Sequence, residues 1–275
     1  MNKKHLNTLL IVFVISLFAN NLYAQEAYLS INAGYGFNTS SQNLNDYFKF
    51  KNTTKITTST TYEQVNLSLG KGLNVAAAYG YMFNDNVGTE LGVSYLLGGK
   101  SHAKDQNISG TTDYTLSAKM LRINPSIVIA SDFRDINAYA KMGLLIGLGS
   151  VIYETNTNNN GDIKIVKLKL NGGLAFGLNA GVGALFNLNK NMSLFGEINM
   201  VNMSYAPTKG EITKSTLNGF DQLPSMSKQN KEIEFVDSYT DDPNNPSTFS
   251  EPSKELKQKL PFGSVGISIG LRILL

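Results

Sequence analysis

Few residues of this chain have the type and spacing for chemistry. Gly266-Ile267-Ser268-Ile269-Gly270 reproduces the G-x-S-x-G spacing of a nucleophile elbow, but that motif needs a strand turning sharply into a helix, with an acid and a histidine after it. Only five residues follow Gly270, and none is acidic or histidine. Asn156 to Lys167, NTNNNGDIKIVK, imitates a calcium loop with Gly161 at its sixth position. Its first position is Asn, and Lys167 stands where a bidentate glutamate is required. An Asn/Gly hairpin tip is the expected structure there. Asp237, Asp241 and Asp242 offer weak cation contacts without a dedicated site. His102 lies in a long connection with Asp105 and Asp113 near it; a hydrolase would need a histidine held by a carboxylate, whereas a solvated loop histidine is the commoner case. No catalytic residue, cofactor or metal is therefore expected.

The informative pattern is physical. From Val265 to Leu275, VGISIGLRILL, residues Val265, Ile267, Ile269, Leu271, Ile273 and Leu275 alternate with Gly266, Ser268, Gly270, Arg272 and Leu274. In a strand this puts one apolar face toward oil, and eleven residues match the roughly nine to eleven of a tilted transmembrane strand.

Seven further segments alternate between turn signals: Ala27 to Asn38, Gly72 to Phe83, Val87 to Gly98, about Leu116 to Ala130, Ile136 to Ser150, Leu168 to Asn187, and Met192 to Ala206. Pro125 interrupts the fourth, since proline donates no ladder hydrogen bond, and a local bulge would absorb it. The connections after strands two, four and six are three to five residues. Those after one, three, five and seven are long: about Thr39 to Lys71, Gly99 to Thr115, Val151 to Lys167 and Pro207 to Phe262. Short turns on one side and long loops on the other is the asymmetry of outer-membrane barrels, whose long loops face outward. Trp is absent, so aromatic belts must come from Tyr35, Phe37 and Tyr95 at the loop ends and Tyr81, Phe83 and Phe186 at the turn ends.

Lys3 and Lys4 precede an apolar run from Leu9 to Ala19, and Leu22-Tyr23-Ala24 before Gln25 forms a small-residue cleavage site. Residues 1–24 thus read as a cleaved signal peptide and 25–275 as one exported barrel domain. Cleavage would remove two of 24 Lys+Arg and none of 21 Asp+Glu, leaving 22 against 21. Near-neutrality gives no electrostatic case for nucleic acid. Zero cysteines excludes disulfides and thiolate chemistry.

The ending Ser268-Ile-Gly270-Leu-Arg-Ile273-Leu-Leu275 resembles the sorting signal read by the barrel-assembly machinery: polar, any, Gly, two of any, hydrophobic, any, hydrophobic. Leu275 departs from it, standing where phenylalanine is usual. With AYGYMFNDNVGTELGVSYLLGG and ELKQKLPFGSVGISIGLRI, the chain is similar to small outer-membrane β-barrels of the OmpA/OmpX type over residues 27 to 275. The resemblance implies an all-β fold, an eight-stranded antiparallel transmembrane β-barrel with long extracellular loops in a Gram-negative outer membrane. Expected partners are outer-membrane lipid and lipopolysaccharide, the barrel-assembly machinery, and an extracellular ligand of the long loops. No peptidoglycan-binding domain follows the barrel, so cell-wall tethering is not implied.

Fourteen glycines fall on the inward register: Gly34, Gly36, Gly80, Gly88, Gly92, Gly143, Gly147, Gly149, Gly173, Gly177, Gly181, Gly183, Gly266 and Gly270. An eight-stranded interior is just wide enough to be filled by side chains. Glu90, Arg122, Lys141, Glu197 and Arg272 share that register, and buried charges must be paired or hydrated. Strand adjacency suggests Glu90 with Arg122, Glu197 with Arg272, and Lys141 beside Arg122. Such a network is either a fixed plug or a gate that swaps partners to pass ions. In the fourth long connection, Lys231 to Tyr239, KEIEFVDSY, alternates and is expected to extend a hairpin above the membrane; counting it as spanning gives a ten-strand alternative. The sequence favours a structural or surface-interaction role, then a small pore, then an enzyme.

Overall fold

A computed structural model describes residues 26–39, 51–56, 59–65, 67–133, 136–240 and 248–275. The expected signal peptide, residues 1–24, lies outside the described residues, as do Asp241 and Asp242. Eight strands close into a ring: β1 (Glu26–Asn38), β2 (Gly72–Met82), β3 (Val87–Gly98), β4 (Gly110–Phe133), β5 (Ile136–Asn159), β6 (Ala175–Asn187), β7 (Met192–Tyr205) and β8 (Ser264–Leu274). Each pairs antiparallel with the next. β8 returns to β1 in continuous register from Tyr28↔Leu274 to Asn38↔Ser264. Closure leaves no unpaired edge within the ring, the condition for crossing lipid with strands. The ten-strand alternative is overturned, because the additional strands lie outside the ring.

Period-two alternation decides which way each side chain points. Ile31, Ile127 and Ile269 are 56%, 60% and 60% exposed, while Ser30, Ser126 and Ser268 beside them are buried. Large aliphatic side chains outside and serine inside is the inverse of a water-soluble barrel, and makes the outer surface an apolar band. Tyr35 and Phe37 meet edge to face with ring centroids 5.2 Å apart near the long-loop end, and Tyr81 and Phe83 do the same at 5.7 Å near the opposite end. The tight turns rest on asparagine. Between β2 and β3 the Asn84 side-chain oxygen accepts from the amides of Asn86 and Val87, and between β6 and β7 that of Asn189 accepts from Asn191.

Four expectations need correction. The segment Leu168 to Asn187 is not one strand: Gly172 and Gly173 take φ of +73° and +71°, the left-handed region glycine enters without a Cβ penalty. They separate a strand at Asp162–Asn171 from β6, so Gly173 belongs to a turn and not to the lumen. The second and third long connections are largely strand. β4 and β5 each run 24 residues, about twice a transmembrane span, and continue upward paired with Ser101–Asn107 and Asp162–Asn171. Apolar alternation stops where lipid stops, but backbone pairing does not. Pro125 causes no bulge: β4 keeps one register against β3, and its ladder with β5 omits Asn124 and Pro125 and then resumes in register. Finally, the alternating stretch near residue 231 begins as a short helix, Lys228–Lys231, before a strand at Glu232–Val236. That strand forms no hairpin of its own; it joins Lys209–Leu217 antiparallel and Ser253–Leu256 parallel.

The upper sheet is pinned by two Asn-Gly hairpin tips. Asn160-Gly161 and Asn218-Gly219 have positive φ at both positions, the two-residue geometry whose twist matches antiparallel strands. The tips dock: Asn218 Nδ2 donates to Asp162 Oδ1 at 2.9 Å, and the amide of Ile163 donates to Asn218 Oδ1 at 2.8 Å.

Candidate functional site

The lumen is the candidate site, and its charges are arranged as a layer. Lys141 on β5 lies between two carboxylates, 3.2 Å from Glu90 Oε1 and 2.8 Å from Glu197 Oε2. The hydroxyl of Tyr28 donates to Glu90 Oε2 at 3.0 Å, and that of Tyr139 to Glu197 Oε2 at 2.9 Å. The Arg272 guanidinium carbon stands 4.0 Å from the Tyr28 ring centroid and 5.2 Å from that of Tyr139, so its charge faces two aromatic π-surfaces. These contacts make a continuous chain across the barrel: Glu90, Lys141 and Glu197 bridged, with two tyrosines clamping the arginine.

All five charges named from the sequence lie in the lumen, but the pairing inferred from strand adjacency is wrong. Glu90 does not pair with Arg122, and Glu197 does not pair with Arg272; Lys141 takes both carboxylates. Register separates the expected partners: Arg122 stands opposite Ser94 and not Glu90, and Arg272 opposite Ser193 and not Glu197, four positions along the strand in each case. Two of the residues that complete the layer, Tyr28 and Tyr139, were missed. Their signal was readable only through register: Gly80 lies directly opposite Tyr28, and Gly183 opposite Tyr139. A Cβ on Gly80 would run into the Tyr28 ring, and one on Gly183 into that of Tyr139. The glycines supply the volume that two large rings occupy.

Two spaces flank this layer. At the short-turn end a vestibule of about 290 Å³ is bounded by Glu26, Tyr28, Asn137, Ser193 and Arg272. Toward the long-loop end a chamber of about 80 Å³ has Glu90, Lys141 and Glu197 among its lining residues, together with Asn74, Asn124 and Arg122. The chamber gives way to an apolar cluster that includes Leu67, Leu69, Leu96, Met120, Tyr205 and Phe262. Phe262 is fully buried and meets Tyr205 edge to face at 5.9 Å. The Tyr205 hydroxyl donates toward the carbonyls of Gly149 and Gly172. The segment carrying Leu67 and Leu69 is held to the approach to β8: Leu69 N donates to Pro261 O at 3.1 Å, and Ser68 Oγ donates to the Gly263 carbonyl. The lumen is thus narrowed twice, by a charged layer below and an apolar cap above.

Other residues singled out from the sequence fall elsewhere. His102 meets the Thr115 hydroxyl at 3.1 Å and, among the described residues, no carboxylate within ion-pair distance. Asn156 to Lys167 spans the Asn160-Gly161 hairpin tip. Among the described residues no group of three or more His, Cys, Asp or Glu is placed to hold a metal ion. Ser268 and Gly270 point into the barrel, while Ile273 and Leu275 are exposed, at 43% and 69%.

The family model described as "Outer membrane protein beta-barrel domain" matches residues 9–219. Nothing among curated proteins matches the sequence. Among solved structures the chain is similar to Neisserial surface protein A (NspA), with 11% identity over 91% of this chain and 99% of that one and a TM-score of 0.37. It is similar to Ail, the attachment invasion locus protein of Yersinia pestis, at 11% identity over 92% and 100%, TM-score 0.32. It is also similar to CarO2 of Acinetobacter baumannii, at 14% identity over 91% and 99%, TM-score 0.35.

Proposed function

Because this chain belongs to the outer membrane protein beta-barrel domain family, we propose that it is a closed scaffold that carries a surface-interaction platform above the outer membrane, not a channel. One observation carries the reading: the lumen is obstructed at two levels, while β4 and β5, each 24 residues long in all, continue past the apolar band into a sheet above it. A pore needs a water path, which a charged layer under an apolar cap does not provide. A display surface needs rigid support, which paired strands and docked hairpin tips do provide. An extracellular ligand would meet that sheet, with outer-membrane lipid and lipopolysaccharide around the wall. On this reading the chain is neither an enzyme nor a nucleic-acid binder.

Planar-bilayer recording of the purified barrel, together with binding of intact cells to host matrix or other bacteria, tests this. Silent bilayers with binding that is lost when residues 209–236 are replaced support it. Stepwise conductance would favour the small-pore reading instead, for which the two spaces flanking a single charged layer are the supporting feature.

Ser268, Gly270, Ile273 and Leu275 act, on this proposal, as the assembly signal. Ile273→Ser with Leu275→Ser would then lower the folded, heat-modifiable fraction in cell membranes while leaving refolding in detergent intact. Equal loss in both settings would assign the residues to stability alone.

A further inference from the structure

Arg122 is the lumen charge that the layer does not use. Its side chain is 4% exposed, it forms no ion pair among the described residues, and its Nε and Nη2 are buried without a hydrogen-bond partner. It lines the chamber between the charged layer and the apolar cap. The two carboxylates at the chamber floor are already engaged. Glu90 gives one oxygen to Lys141 and the other to Tyr28, and Glu197 accepts from Lys141 and Tyr139 on Oε2. Counting Glu90 and Glu197 against Arg122, Lys141 and Arg272 leaves one positive charge in excess. An uncompensated guanidinium in a low-dielectric interior is costly, and planar N–H groups on it are strong donors to an anion.

We propose that this chamber is a binding site for a small monovalent anion of halide size, held by the Arg122 guanidinium. One negative charge balances the excess. The neutral surroundings, Asn124, Asn179, Asn199 and Ser94 among them, carry amide and hydroxyl donors that suit a weakly basic ion. A chamber of about 80 Å³ holds such an ion with a few waters and leaves no room for an extended solute. The ion's role is to satisfy the charge that fixes the upper lumen.

The test is crystallography of the detergent-purified barrel in bromide, with data collected at the bromine absorption edge. The expected result is a lumen peak against the Arg122 guanidinium, absent in Arg122→Gln. Peaks confined to the outer surface, an adventitious ion only, would overturn the proposal, as would a lumen peak that survives Arg122→Gln or an Arg122 found paired with Glu90. The wild-type arm decides even if the variant does not fold. A second readout is the unfolding midpoint in chloride against gluconate at equal ionic strength. It is expected to be higher in chloride for the wild-type barrel, and equal midpoints would count against the site.

Discussion

Lys141 Nζ lies 2.8 Å from Glu197 Oε2, within a lumen where both side chains are at least nine-tenths buried. The same nitrogen also holds Glu90, so one cation bridges two carboxylates from different strands. Removing it leaves two buried negative charges facing each other. Lys141→Met is therefore expected to destabilise the barrel by about 3–5 kcal/mol, read as the urea midpoint in detergent micelles. The double variant Glu90→Gln, Lys141→Met removes one charge of each sign, keeps the lumen's net charge at its wild-type value and leaves Glu197 as counter-charge to the arginines, so it should recover much of that loss. A double variant no more stable than Lys141→Met would show that the layer acts through packing and not through charge.

Gly80 faces the Tyr28 ring so closely that a methyl group cannot be added without displacing it. Gly80→Ala should cost roughly 1–3 kcal/mol by overpacking and weaken the Tyr28 to Glu90 hydrogen bond. Tyr28→Ala on its own opens a cavity. Because the two substitutions share one volume, the double variant should be less destabilised than the sum; simple additivity would mean that the ring and the glycine do not constrain each other.

Ile269 sits mid-strand on the outer face of β8 at 60% exposure. Ile269→Arg is expected to cost about 2–4 kcal/mol in a bilayer, as for a cation at the midplane of a barrel wall. The protein contains no cysteine, so single-cysteine variants give clean labelling. A lipid-soluble maleimide should modify Ile269→Cys, and Ser268→Cys should be protected. The reverse pattern would invert the barrel.

The apolar cap and the charged layer are separate closures. Phe262→Ala should cost roughly 3–5 kcal/mol as a large buried aromatic is lost, yet bilayers should stay silent because the Lys141 layer is still intact. Only Phe262→Ala combined with Lys141→Ala is expected to conduct. Conductance in the single Phe262 variant would mean that the charged layer does not seal.

The ring was legible because period-two alternation is written residue by residue: β3 runs from Val87 to Gly98 as the pattern implies, and β1 and β8 differ from the reading by a residue at their ends. What lay above the membrane was harder to read. Segments such as Thr111-Thr112-Asp113-Tyr114 lose the apolar stripe although they remain paired strand, so hydrophobicity could not separate them from loop. Asn218-Gly219 was a hairpin signal of the same kind as Asn160-Gly161 and could have been found.

The sequence by itself determined that eight segments expose oil outward and place Glu90, Arg122, Lys141, Glu197 and Arg272 inward, because side-chain direction in a strand depends only on parity. Tertiary structure alone decided that Lys141 bridges Glu90 and Glu197, that Tyr28 and Tyr139 clamp Arg272, and that Arg122 is left facing a chamber. Apart from Tyr28 with Arg272 on the adjoining β1 and β8, those contacts skip at least one strand. Their distances follow from strand register and closure, which depend on how all eight strands meet and not on any local pattern.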